Sequence, residues 1–557
     1  MKTFLAICAV LFSASFILAE EQLFAAKPSP EQVEWLAMNT MFVCLDPATW
    51  QGREYDNHST PLEKINPDKL SSDQWCEVAK SWGAGQILFV AKHTGGFCWW
   101  QTDTTDYGIK ETPYKNGKGD ILAELSQSCK KYGLKLAIYV SPADDHLGAK
   151  TGAKTKDPKD QEAYNKIYRQ QWTEVLSRYG EISEIWFDGS NAVPVQDVIE
   201  KYAPKAMQFQ GKHATIRWPG NESGIAPYPT WQTVKQKDSV TGTATAAHSD
   251  PNGDVWLPFE CDTTLIDHKW FFAPNLDHKL KSVDKLMSIY YTSVGRGSPL
   301  LLNSTPDTSG LIPESHVKRY KEFAAEVKRR FGKPVAENNG GNSDTITLKL
   351  PKAVPVNHVI LAENVREGQR IRQYVIEGKQ GDDWITLVPN GSSVGFKRID
   401  EFKTQTVSEL RLRITKSAGT PLVTKIAAYN VTESEAAAAA DNQLPIEKDW
   451  VEVITAGQMN PGSSSEPPTV FDISKHVLKP GEYRLIIRNE KGEAVSAESL
   501  DLIVKDSVIE NRIRKNPNQQ GEYLLNRQEQ VTPDTPTKLR IIMKGNFSGS
   551  VMMRLVH

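Results

Sequence analysis

Between residues 28 and 303 the chain alternates two kinds of segment. One kind is short and apolar throughout: residues 41–45, 86–92, 134–140 and 185–187, then the less regular 207–210 and 255–259, and finally 300–303. Runs of this length suit strands, and apolar side chains on both faces mean a sheet covered on both sides. The other kind is longer and amphipathic, at 28–38, 67–82, 120–132, 163–179 and 285–294, which predicts surface helices. The first of these places Ser29 as a cap with Pro30 in the first helical position, a helix-start signature. Such alternation over about 300 residues predicts a parallel sheet wrapped by helices, and the length fits a (β/α)8 barrel (TIM-like) better than an open sheet. No glycine-rich phosphate loop follows any strand, which argues against a nucleotide-binding sheet.

The pattern changes near Phe331-Gly332. From 334 to 431 helical periodicity vanishes and short β-type segments recur, at 345–350, 358–363, 372–377, 384–388, 410–415 and 424–428, a spacing that suggests a β-sandwich. Five consecutive alanines (Ala436–Ala440) sit in a polar stretch that reads as a linker or short helical spacer. Beyond it the chain is again β-rich and predicts a second sandwich. The expected organisation is therefore a leader at 1–19, a barrel at 20–332, a β-sandwich at 333–432, a linker at 433–446 and a C-terminal β-sandwich at 447–557.

Composition narrows the partners. The 66 Lys+Arg and 68 Asp+Glu nearly cancel, which disfavours a nucleic-acid or anionic-lipid surface as the main partner. Lys2, the apolar residues 4–18 and Ala19 read as a secretory signal, so periplasmic or secreted location is expected, and no later run is long enough to insert in a membrane. Removal of the leader takes Cys8 and leaves Cys44, Cys76, Cys98, Cys129 and Cys261. An odd, sparse set without a CxxC is no disulfide scaffold or zinc site, so buried thiols are expected and neither metal nor cofactor is implied.

Candidate chemistry gathers where the predicted strands end. In E-I-W-F-D-G-S-N (184–191) an apolar run delivers Asp188 and then turns at Gly189, and in an α/β barrel catalytic groups stand at that C-terminal face. His93 follows the second strand, Tyr139 lies near the end of the third, Glu222 follows the fifth in R-W-P-G-N-E, and Glu260 ends the sixth with Trp270 shortly after. Each alone reads equally well as structural. Two carboxylates at different strand ends among aromatics and a histidine are nevertheless the set a glycosidase needs, one to attack or steady an oxocarbenium-like centre and one to protonate the leaving oxygen.

Several ordered motifs then carry a family resemblance. K-H-T-G-G-F-C-W-W (92–100), M-F-V-C-L-D-P-A-T-W-Q-G-R-E (41–54), I-W-F-D-G (185–189), R-W-P-G-N-E (217–222) and Y-Y-T-S-V-G-R (290–296) with L-L-L-N (300–303) resemble the α-L-fucosidases of glycoside hydrolase family 29. The resemblance covers about residues 28–431, including a trailing β-domain. It implies an exo-acting, retaining glycosidase on an oligosaccharide or glycoconjugate, with Asp188 as nucleophile and Glu222 as acid/base; Glu260 is the alternative acid/base. It also implies that His93, Trp100, Tyr139, Trp270, Glu54 and the position of Cys44 meet the sugar.

Two departures stand out. Where the family usually carries a histidine after the first strand this chain has Cys44, and where it often carries His-Asp after His93 it has Thr94-Gly95. A thiol is a weak hydrogen-bonding group, so recognition of some hydroxyls must differ. Terminal fucose is the expected glycone. A related sugar such as an α-L-galactoside or a galactoside, a glycan-binding protein without turnover, and a surface-assembly scaffold are the alternatives.

Overall fold

The computed structural model describes residues 25–189, 191–239 and 249–432, together with the strands between 451 and 556. The expected leader and linker lie outside the described residues. Seven strands form one sheet: β1 (Asn39–Val43), β2 (Ala84–Lys92), β3 (Lys135–Val140), β4 (Ile182–Trp186), β5 (Met207–Phe209), β6 (Cys261–Thr263) and β7 (Leu300–Ser304). Their order is β6-β7-β1-β2-β3-β4-β5, and every neighbouring pair is parallel. Beyond β5, an isolated parallel bridge joins Phe209 to Ile216, and a second joins Arg217 to Phe259 just before β6. The two edges are thus connected through Ile216-Arg217, and the domain is TIM-like.

The apolar strands divide their side chains between two cores. Phe42, Leu88, Val90, Tyr139, Trp186 and Leu301 point inward to one cluster. Their alternates Met41, Ile87, Phe89, Ile138, Ile185 and Leu302 point outward to another, shared with the helices. This is the two-residue period of a strand read on both faces at once. Helices α1 (Pro30–Leu36), α2 (Ser72–Ser81), α3 (Ile121–Tyr132), α4 (Gln161–Arg178), α5 (Gln196–Tyr202), α6 (Val283–Thr292) and α7 (Glu314–Phe331) complete the domain. Ser29 caps α1 in a full capping box with Gln32, as the sequence predicts.

Three expectations need correction. Of the segment 255–259 only its end joins the barrel, by the Phe259 bridge to Arg217: Val255–Trp256 pairs antiparallel with Thr233–Val234, Pro258 has no N–H to extend a ladder, and β6 begins only at Cys261. The 18-residue helix α7 has no counterpart in the sequence reading; it buries only His316, Tyr320, Phe323 and Arg330, a stripe too narrow and polar to stand out. The segments 345–350 and 358–363 belong to one 19-residue strand, broken in register around Lys349/Val354 and Val356/His358.

That long strand, β9 (Thr345–Glu363), lies in a six-stranded sheet with β8 (Ala336–Asn338), β10 (Ile371–Gln380), β11 (Asp383–Gly391), β12 (Arg398–Ser417) and β13 (Val423–Tyr429). The order is β8-β13-β9-β12-β10-β11, the pairings are antiparallel, and the sheet encloses its own apolar cluster. It is fastened to the barrel: Val365 enters the inner cluster beside Val33 and Leu36 of α1, and Gln369 accepts from the Gln232 N–H at 2.7 Å while donating to the Thr230 carbonyl at 3.0 Å. The described strands after 451 form one five-stranded and one four-stranded sheet, with antiparallel pairings. Among the described residues no helix is long and apolar enough to cross a membrane.

Candidate active site

Alternation along β4 aims Glu184, Trp186 and then Asp188 into the barrel, one above the other. Glu184 is buried and Asp188, two residues beyond the last paired position, is open to solvent. The Tyr139 hydroxyl at the end of β3 donates to Asp188 Oδ2 at 3.0 Å. Enough protein surrounds the carboxyl, although its tip is accessible, that burial raises it above the usual aspartate range while the Tyr139 hydrogen bond opposes the rise. Gly189 makes the exit turn with φ +81°, and its N–H donates to Gln210 Oε1 at 2.6 Å.

Glu222 approaches from the loop that follows the Ile216-Arg217 bridge and is exposed. The indole N–H of Trp270, on the loop after β6, donates to Glu222 Oε2 at 3.2 Å. The Trp270 backbone N–H donates to Glu54 Oε2 at 2.9 Å, and its carbonyl accepts from Asn303 Nδ2 at 2.9 Å. Lys269 pairs with Glu54 at 2.9 Å. Three strand ends are thereby tied to one tryptophan, whose ring meets Phe42 edge-on at 5.8 Å.

His93 closes another side. Its ring packs on Phe271 at 4.8 Å and stacks on Tyr55 at 5.7 Å, and burial lowers it to about 4, so it is a neutral hydrogen-bonding group at neutral pH. Tyr55 was not singled out by the sequence, yet it is 65 % exposed, the large hydrophobic side chain most open to water among the described residues. Burial and then the charges of Asp188, Glu222 and Glu54 raise its hydroxyl, which sets all three acids around one ring. Asp262 of β6 was also missed. It accepts from the Trp218 indole at 2.8 Å and is pushed well up by burial and then by Glu222.

The remaining sequence candidates fall elsewhere. Trp100 does not line the mouth: it is wholly buried and its indole donates to Glu174 Oε2 of α4 at 2.9 Å, on the helical side of the sheet. Glu260 does not end a strand. It precedes β6, is wholly buried, and accepts the Trp186 indole N–H at 2.8 Å. Burial and then the neighbouring Glu184 push its carboxyl well above the ordinary range. Cys44 is 1 % exposed, its thiol pushed well up by burial with Asn303 nearby opposing the rise. The five described cysteines are buried and free. Gly95 has a positive reason to be glycine: a Cβ there would lie 2.7 Å from Asp56 Oδ2, and that carboxylate takes hydrogen bonds from Tyr107 and Gln51 at 2.6 Å each. Among the described residues no cluster could hold a metal ion.

A TIM-like barrel with accessible and loop-borne acids, aromatics and a neutral histidine at the strand ends defines a glycoside-hydrolase class of protein. Residues 25–330 match the family model described as "Alpha-L-fucosidase". "Alpha-L-fucosidase 1" of Arabidopsis thaliana is 30 % identical over 452 residues, 72 % of this chain and 87 % of that protein. A solved Bacteroides thetaiotaomicron protein, a candidate α-L-fucosidase, has TM-score 0.69 at 34 % identity over 73 % of this chain and all of its own. A Ruminococcus gnavus family-29 fucosidase in complex with fucose has TM-score 0.65 at 25 % identity over 74 % of this chain and 96 % of its own. The chain belongs to the α-L-fucosidase family, glycoside hydrolase family 29.

Proposed function

We propose that the protein is an exported, retaining exo-α-L-fucosidase on a (β/α)8 barrel whose sixth stave is reduced to Ile216-Arg217. One observation carries the reading. Asp188 is an accessible strand-end carboxylate steered by Tyr139, and Glu222 reaches the same mouth from a different loop, steered by Trp270. The Asp188 carboxylate attacks the anomeric carbon as the bond to the departing oxygen breaks. Glu222 gives that oxygen its proton, then takes a proton from the water that displaces Asp188, so configuration is retained. Burial that raises Asp188 makes its carboxylate a more basic, less solvated nucleophile than a fully hydrated acid. Trp270 offers an apolar face for the C6 methyl of fucose, where a hydroxymethyl would lose packing.

A second reading concerns the glycone. Cys44 is buried against Asn303, so the hydroxyl that a histidine meets in typical family members has no equivalent partner at that position. A galactose-configured sugar is the alternative this favours. Aryl glycosides separate the readings: release from the α-L-fucoside that disappears in Asp188→Asn supports the proposal, release from an α-L-galactoside or β-D-galactoside alone moves the specificity, and glycan binding without any turnover overturns the enzyme reading.

A further inference from the structure

The Glu222 loop is gripped on both sides by the end of β6. Asp262 points inward two positions above Glu260 and is 4 % exposed. Its Oδ1 accepts the Trp218 indole N–H at 2.8 Å, four residues before Glu222. Its backbone carbonyl accepts the Gly224 N–H at 3.0 Å, two residues after. The adjoining Thr263 forms an antiparallel bridge with Ser223. Gly224 holds φ +72°, and a Cβ there would press on Ile289 of α6 at 2.6 Å, so the loop is also bedded from behind.

We propose that Asp262 is a positioning residue for the acid/base: it pins the loop that carries Glu222 and sets a second carboxyl beside the first. The inference rests on the reading of Glu222 as acid/base. The charged groups that face Asp262 are Glu222 on its loop and Asp188 at the end of β4, with Glu260 below on the same face and Arg296 behind the adjacent Cys261. Burial and then Glu222 raise the Asp262 carboxyl. A carboxyl buried this deeply beside another acid disfavours its own charge, so Asp262 holds its proton to higher pH than an isolated aspartic acid.

Asp262→Asn preserves an acceptor for Trp218 and removes the ionisable proton. The alkaline limb of the kcat/KM profile for an α-L-fucoside with a poor leaving group is expected to move about one unit to lower pH, with KM changed less than about threefold. Trp218→Phe keeps the carboxyl and frees the loop; kcat is expected to fall about tenfold at every pH with KM held. Glu222→Gln, run beside them, should abolish the alkaline limb. A limb lost in Glu222→Gln but unmoved in Asp262→Asn overturns the role of Asp262 and leaves Glu222 standing. A limb that survives Glu222→Gln overturns the acid/base reading itself. If Asp262→Asn does not fold, an unchanged kcat in Trp218→Phe is enough to overturn the proposal.

Discussion

Two tiers of acids line one barrel interior, and depth alone separates their chemistry. The lower tier is Glu184 and Glu260, both wholly buried. Its charge is expensive to desolvate, so burial raises both carboxyls, and buried donors meet one oxygen of each: Trp35 and Gln86 on Glu184 at 2.7 Å each, Trp186 on Glu260 at 2.8 Å. The upper tier is Asp188 and Glu222, both exposed, each held by one aromatic donor and otherwise free to meet a ligand. Two inward acids low in the barrel and two at its rim, Asp188 after β4 and Glu222 on its loop, thus divide into a buried floor and an accessible mouth. A strand that ends in an acid is therefore not evidence of catalysis until its height in the barrel is known.

The comparison breaks most sharply at Asp188. Asp188→Asn is expected to lower kcat on the order of 10³-fold or more with little change in melting temperature, whereas a loss below tenfold would place the nucleophile elsewhere. The lower tier should respond in the opposite way. Glu260→Leu leaves the buried Trp186 indole without its acceptor and should cost about 1–3 kcal/mol in chemical denaturation. Glu260→Gln keeps an acceptor and should hold kcat within about tenfold of the parent; a loss as large as that of Asp188→Asn would return Glu260 to the mechanism.

Buried acids also set how stability follows pH. Burial raises Glu363 of the second domain to about 7 from 4.5, against three backbone N–H donors. A folded carboxyl raised in this way binds its proton more tightly than the unfolded chain does. Its contribution is complete below about 4.5 and is lost as pH climbs through about 7, worth about 3 kcal/mol at most. Melting temperature should fall across that window, and Glu363→Gln should flatten the fall. The smallest effect is expected at Trp100, where Trp100→Phe removes one buried hydrogen bond to Glu174. It should lower stability by about 1–2 kcal/mol and leave KM unchanged; a raised KM would bring Trp100 back to the sugar.

The sequence made the barrel legible because strands covered on both faces are apolar at nearly every position, as Gln86-Ile87-Leu88-Phe89-Val90-Ala91 shows, and the helices between them are punctuated by caps such as Ser29 and Asp120. Asp188 was legible because an acid at the end of such a run stands where the barrel opens. Glu260 and Trp100 were placed too high for one reason: residue spacing carries no measure of depth, and Pro258 delays β6 until Cys261. Tyr55 and Asp262 gave no local signal. Tyr55 lies outside any periodic element, and Asp262 owes its place to a partner, Trp218, 44 residues away in the chain. Helix α7 was hidden by its composition, since most of its surface faces water.

The most direct test of the account is to trap the covalent intermediate. A 2-deoxy-2-fluoro-α-L-fucosyl fluoride should inactivate the enzyme with one sugar per chain, and peptide mass mapping should find that sugar on the peptide containing Asp188. An adduct on Glu54, Glu222 or Glu260, or steady turnover of fucosides with no adduct at all, would contradict it.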